Sequence, residues 1–192
     1  MNSHDRQTSI KKIFNIIEQF KTSNNFWIGL TRDLIFIAGM ILLIMLVSQI
    51  TLGTPRPAVA VESGSMLPNI GIGDVVLIQS IDRTEIISYT QGSLSGYKSF
   101  DNYGDVILYH KFGNKSYTPI IHRAMYWVDE GEPMWNGGPP APHAGYITKG
   151  DNNRDIDQAA STSRHQPVKK EWIIGVARWH IPWVGYLSLA VH

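Results

Sequence analysis

The chain contains no cysteine. Disulfides, thiol catalysis and cysteine-ligated metal are therefore all excluded. Charge of either sign is not in excess: 17 Lys and Arg against 16 Asp and Glu leave a net charge of +1. That balance gives no reason to expect a nucleic-acid partner. Seven histidines are present, but no His-x-x-x-His pair falls on an obvious helix, so neither a metal nor a cofactor is expected. Internal repeats and low-complexity tracts are absent. Long apolar runs are lacking too, except for one.

That run is Leu34–Leu52, LIFIAGMILLIMLVSQITL. It carries no charge, and its only polar residues, Ser48, Gln49 and Thr51, lie near one end. About 20 such residues at 1.5 Å rise cross a hydrocarbon core of about 30 Å. The division expected is a cytoplasmic segment 1–32, a transmembrane helix 33–53 and an extracytoplasmic β-rich domain 54–192. Arg6, Lys11, Lys12, Lys21 and Arg32 precede the run, whereas residues 53–73 hold only Arg56. The positive-inside rule puts the N-terminus in the cytoplasm. Ala58-Val59-Ala60 has the form of a signal-peptide cleavage site. The apolar run exceeds a usual signal-peptide core, however, and the region before it is long, so an uncleaved anchor is preferred. Ile10, Ile13, Phe14, Ile17 and Phe20 recur at helical spacing. They fit either an amphipathic helix on the lipid surface or a partner-facing stripe.

After Gly53 the pattern changes. Thr54-Pro55-Arg56-Pro57 cannot continue a helix. Runs rich in Val, Ile, Tyr and Trp follow at 58–62, 75–79, 105–110, 120–128, 146–149 and 172–179, separated by Gly, Asn, Asp and Pro. This predicts a mainly β, antiparallel domain. Residues 80–104 and 129–145 read as long loops. Asn114-Lys115-Ser116 is a glycosylation sequon. The apolar end, 181–192, is too short for a second span. It suits an interfacial position, a place in the core, or the start of a longer segment.

Three segments carry chemistry. Ser63-Gly64-Ser65-Met66-Leu67-Pro68 places a hydroxyl in a turn shortly after the anchor. Ile121-His122-Arg123 supplies an imidazole, and Lys149-Gly150-Asp151-Asn152-Asn153-Arg154-Asp155-Ile156-Asp157 supplies carboxylates. A serine needs a base, and the base needs an orienting group. The expected roles are Ser65 as nucleophile, His122 as general base and Asp157 as the carboxylate that holds the imidazole. The Ser65 N–H and the Ser63 hydroxyl are the oxyanion donors, and Asp151 is a supporting residue. Each segment also has a plain structural reading: a turn at 63–65, a core histidine at 122, Asx-turn chemistry at 150–153. A calcium loop at 151–157 lacks the glutamate that closes an EF-hand. Lys111 and Lys149 are the alternative bases.

Taken with Gly73-Asp74-Val75-Val76 and Gly104-Asp105-Val106-Ile107, these segments occur in the order seen in type I signal peptidases. The chain resembles that family from about Ala58 to Leu187. The resemblance implies a membrane-anchored endopeptidase that removes signal peptides from exported preproteins, on a largely β fold facing the lipid bilayer. The bacterial branch uses lysine just before an arginine. Here His122 precedes Arg123, which resembles the archaeal and endoplasmic-reticulum branch. In that branch two aspartates six residues apart follow the glycine, matching Asp151 and Asp157. The second is often followed by another acid, whereas here Gln158 follows. The expected partners are preprotein signal peptides and accessory membrane subunits. The alternative is a membrane-anchored, non-catalytic β module or subunit of a secretion complex.

Overall fold

A computed structural model describes residues 25–186, with 11, 12, 15, 18, 19 and 21–23 ahead of them. Ile10, Ile13, Phe14, Ile17 and Phe20, which carry the amphipathic stripe, lie outside the described residues, as do Leu187–His192. The chain divides into two units, residues 1–47 and 48–192.

The first unit contains most of helix α1, Phe26–Leu52, 27 residues long. At 1.5 Å per residue it extends about 40 Å. By length and composition it is the one helix among the described residues able to cross a membrane. It begins earlier than the apolar run because Phe26, Trp27 and Leu30 extend the pattern. Gly53, at φ +72° in the left-handed region, ends it.

The second unit is built on a six-stranded sheet in the order β1 (Ala58–Ala60), β2 (Val75–Gln79), β8 (Ile173–Ile181), β5 (Val106–Tyr109), β6 (Ile120–Val128) and β7 (Gly145–Lys149). Every neighbouring pair is antiparallel. The mainly β expectation is met, and β2 and β6 fall where the β-branched runs put them. The stretch 80–104 is more ordered than a loop. It contains helix α2 (Tyr89–Ser95) and a small hairpin, β3 (Lys98–Ser99) with β4 (Asn102–Tyr103). Ser88 caps α2 through a reciprocal capping box with Gln91, and Gly96 closes it at φ +79°.

β5 is buried along its whole length. Its side chains alternate between two core layers. Val106 and Leu108 join Val61, Met66, Ile70, Val76, Ile78 and Ala177 in one cluster. Ile107 and Tyr109 join Ile86, Ala124, Val168, Ile173 and Val176 in the other. The two faces carry the alternation into β6, where Ile121 packs with the first cluster and Ile120 with the second. His122, two residues after Ile120, therefore shares the second face.

Candidate active site

The turn that holds Ser65 is fixed from two sides. Gly64–Met66 forms a single 3-10 turn whose Met66 is fully buried in the first cluster. From the other side, the Asn152 N–H donates to the Ser65 carbonyl at 2.8 Å and Asn152 Nδ2 to the Gly64 carbonyl at 3.1 Å. Gly150 lies against the same turn, where an added Cβ would come within 2.6 Å of the Ser65 carbonyl oxygen. The segment 150–153 is thus turn chemistry, as its composition suggests, and it also cradles the serine.

Asp151 braces this cradle. Its carboxylate accepts from Arg123 Nε at 2.7 Å and Nη2 at 2.6 Å, and from Asn69 Nδ2 at 2.8 Å. Arg123 is 1% exposed. Its Nη1 donates to the carbonyls of Gly104 at 2.7 Å, Ser99 at 2.9 Å and Tyr103 at 3.3 Å. The bidentate fork satisfies a charge that would otherwise be stranded in the core.

Asp157 lies elsewhere, next to His122. His122 Nδ1 is 2.6 Å from Asp157 Oδ2. The same oxygen accepts from the Thr148 hydroxyl at 2.7 Å and the Tyr109 hydroxyl at 3.2 Å. Gln158, 2% exposed, closes the network: its Oε1 accepts from the Thr148 N–H at 3.0 Å and its Nε2 donates to Thr148 Oγ1 at 3.3 Å. Because Thr148 Oγ1 accepts a hydrogen bond from Gln158, its own proton is directed at Asp157. A carboxylate at 158 has no such donor. Burial, and next the negative charge of Asp157, push the Tyr109 hydroxyl well above its ordinary pKa, so it stays a neutral donor. Sequence reasoning missed Tyr109 and Thr148, and it marked Gln158 only as a departure from the pattern of the family that the chain resembles. The available signal was alternation: Tyr109 pairs with Ile120 and so lies on the His122 face.

Ser63, Ser65 and His122 line one cleft of about 580 Å³. Val59, Val61, Leu108 and Ile121 supply its apolar surface, and Glu62 and Thr118 add polar groups to the wall. Ser63 Oγ is 3.3 Å from Ser65 Oγ. Asp155 forms no part of this lining, and Lys111 rests its ammonium 5.4 Å from the Phe112 ring centroid on another cavity. Among the described residues no cluster of His, Asp and Glu suits a metal.

Two strand edges border the cleft. Val61 exchanges backbone hydrogen bonds with the β2 side, through Asp74 and Gly73. The alternation of an antiparallel ladder then turns the backbone groups of Ala60 and Glu62 outward. Likewise the Ala124 N–H bonds the Asp105 carbonyl, which by the same alternation leaves the Ile121 groups pointing away from β5. β7 reaches only as far as Arg123 and does not cover Ile121.

No family model matches the chain. It is similar to curated proteins described as signal peptidase complex catalytic subunit SEC11. The Chaetomium globosum protein is 29% identical over 71% of this chain, and the Sclerotinia sclerotiorum protein 27% over 71%. The Saccharomyces cerevisiae protein is 25% identical over 94% of this chain and 81% of its own length. The chain spans 64% of the length of the first two, just under two-thirds.

Proposed function

We propose that this chain is a membrane-anchored serine endopeptidase that removes N-terminal signal peptides from exported preproteins. The observation that carries the reading is the 2.6 Å bond between His122 and Asp157, with His122 lining the same cleft as Ser65. Similarity to signal peptidase catalytic subunits supports it independently.

With Nδ1–H donated to Asp157, the imidazole presents Nε2 as the base. Nε2 takes the proton of Ser65 Oγ as that oxygen attacks the scissile carbonyl. The Ser65 N–H and the Ser63 hydroxyl receive the developing oxyanion; one such donor is worth about 3–4 kcal/mol in the transition state. Imidazolium then protonates the leaving amine. An acyl-enzyme remains on Ser65, and a water deprotonated by His122 hydrolyses it. Asp157 stays ionised throughout, stabilising the imidazolium.

The outward-facing groups of Ala60, Glu62 and Ile121 offer a template on which the extended backbone around the cleavage site adds as a strand. Helix α1 is the anchor in the bilayer, with residues 1–32 cytoplasmic and 54–192 on the outer side. Accessory membrane subunits are expected, since the relatives are subunits of a complex.

The test is cleavage of a preprotein presented in vesicles by wild type, Ser65→Ala and His122→Ala, with the fold of each verified by circular dichroism. Loss of cleavage in both folded variants is expected. Full activity in Ser65→Ala would sink the proposal, and retained activity in His122→Ala would move the base to a lysine.

A further inference from the structure

One motif of the sequence has no part in the site. Asn114-Lys115-Ser116 is the only Asn-x-Ser/Thr triplet in the chain. It follows the short 3-10 turn Lys111–Gly113 and precedes β6. Such triplets arise often by chance, and one that is buried or paired within a sheet is out of reach of a modifying enzyme. Its surroundings therefore decide what it does.

Here the whole stretch from Gly113 to Thr118 is exposed and belongs to no strand. The backbone of the triplet is satisfied locally. The Asn114 N–H donates to the Lys111 carbonyl at 3.0 Å, and the Asn114 carbonyl accepts from the Tyr117 N–H at 3.3 Å. The carboxamide is held at one end: its Oδ1 accepts from the Ser116 N–H at 2.9 Å, closing an Asx turn. An amide also carries two protons on its nitrogen. Among the described residues, Asn114 Nδ2 has no partner, and neither has the Ser116 hydroxyl. Asn69 and Asn152 differ in this respect. Their Nδ2 groups are committed to Asp151 at 2.8 Å and to the Gly64 carbonyl at 3.1 Å. The Asx turn thus fixes one oxygen of the triplet and presents its amide nitrogen and its hydroxyl together at the surface.

Resting on the reading that puts residues 54–192 on the outer side of the membrane, we infer that Asn114 is an N-glycosylation site. The donor is a polyprenyl-phosphate-linked oligosaccharide, and a membrane oligosaccharyltransferase acts on it. Asn114 Nδ2 forms a bond to C1 of the first sugar. The bond between C1 and the phosphate oxygen breaks, and the polyprenyl phosphate leaves with the electron pair. One Nδ2 proton passes to a base of the transferase, so no oxidant or reductant is needed. The triplet lies outside the lining of the cleft, which takes up this segment at Thr118. The attachment point is beside the cleft and apart from Ser65 and His122, so loss of the sugar should leave the chemistry in place.

The experiment purifies the full chain from the membranes of the cells that produce it and measures its intact mass against that of Asn114→Gln from the same cells. A C-terminal reporter active only outside the cytoplasm gives the orientation in a parallel sample. Wild type is expected to be heavier by a set of sugar masses. Ser116→Ala should lose this increment, and Ser116→Thr, which keeps the hydroxyl, should retain it. Preprotein cleavage by Asn114→Gln should match that of wild type. A wild-type chain with no increment and an active reporter would overturn the inference and leave the orientation standing. No increment and an inactive reporter would overturn both. An increment that survives in Asn114→Gln would place the sugar elsewhere and also overturn the inference. A glycosylated chain that cleaves no preprotein would sink the peptidase reading alone.

Discussion

Replacing Asp151 by alanine removes one half of a buried ion pair and leaves the other in place. Arg123 is 1% exposed and the Asp151 side chain 5%. The guanidinium keeps its three carbonyl acceptors but loses both bonds of its carboxylate fork. Stranding a buried charge in this way costs about 3–5 kcal/mol. At roughly 2–4 °C per kcal/mol for a chain of this size, that is a fall of about 6–20 °C in Tm. Equilibrium urea unfolding of the full chain in detergent, followed by tryptophan fluorescence, measures the free-energy loss directly. Asp151→Asn keeps an acceptor and should lose less. The same substitutions loosen the 150–153 turn that bonds the Ser65 carbonyl, and preprotein cleavage should fall with them. A loss below about 1 kcal/mol, the range of an exposed pair, would refute the reasoning, because it would mean that Arg123 reaches water or a second counter-charge.

Gly150→Ala directs a methyl group into the Ser65 carbonyl oxygen, 2.6 Å away. Shifting the nucleophile turn by about 1 Å should cost on the order of 100-fold in kcat, and wild-type turnover in this variant would show that the turn can yield. Asp74 gives a pH dependence. Burial raises its pKa, but hydrogen bonds from His180 at 2.7 Å and from the N–H groups of Gly71 and Trp183 outweigh it and hold the carboxyl below its ordinary 3.8. A depressed folded-state pKa adds stability above the unfolded value and loses it as pH falls through the folded one. Stability should therefore drop more steeply below about pH 4 in wild type than in Asp74→Asn, and identical acid-unfolding profiles would discount the Asp74 contacts.

The fold was readable wherever a strand buries one face or both. The Val and Ile runs at β2, β5 and β6 have no alternative use in water, so composition marks them. Helix α2 is harder, because seven residues give too little periodicity. Its Ser88–Gln91 capping box was nonetheless there to be noticed. At the site, Ser65, His122 and Asp157 are visible as residue types in order, but their neighbours are not. Arg123 reads as one charge in an apolar strand, and only the register of β6 against β7 brings it to Asp151. Thr148 and Tyr109 are ordinary strand residues whose hydroxyls become donors to Asp157 through pairing between strands far apart in sequence. Gln158 stands out in the sequence only as a departure from the family pattern. Its amide, which accepts from one Thr148 group and donates to another, explains why a neutral residue suits this position.

The unpaired edges at Ala60–Glu62 and Ile121 also carry a hazard. Open strand edges invite other chains to pair with them, and natural sheets guard against this with prolines, charges and short edge strands. Here β1 is three residues long, Pro57 precedes it and Glu62 follows it, while Pro119, which has no N–H, stands directly before β6. These features shorten each exposed ladder to a few residues. Two copies of the chain meeting edge to edge gain little, whereas a single strand inserted between both edges at once bonds to each. On the peptidase reading, the same shortness that discourages edge-to-edge pairing leaves the cleft open to one extended segment.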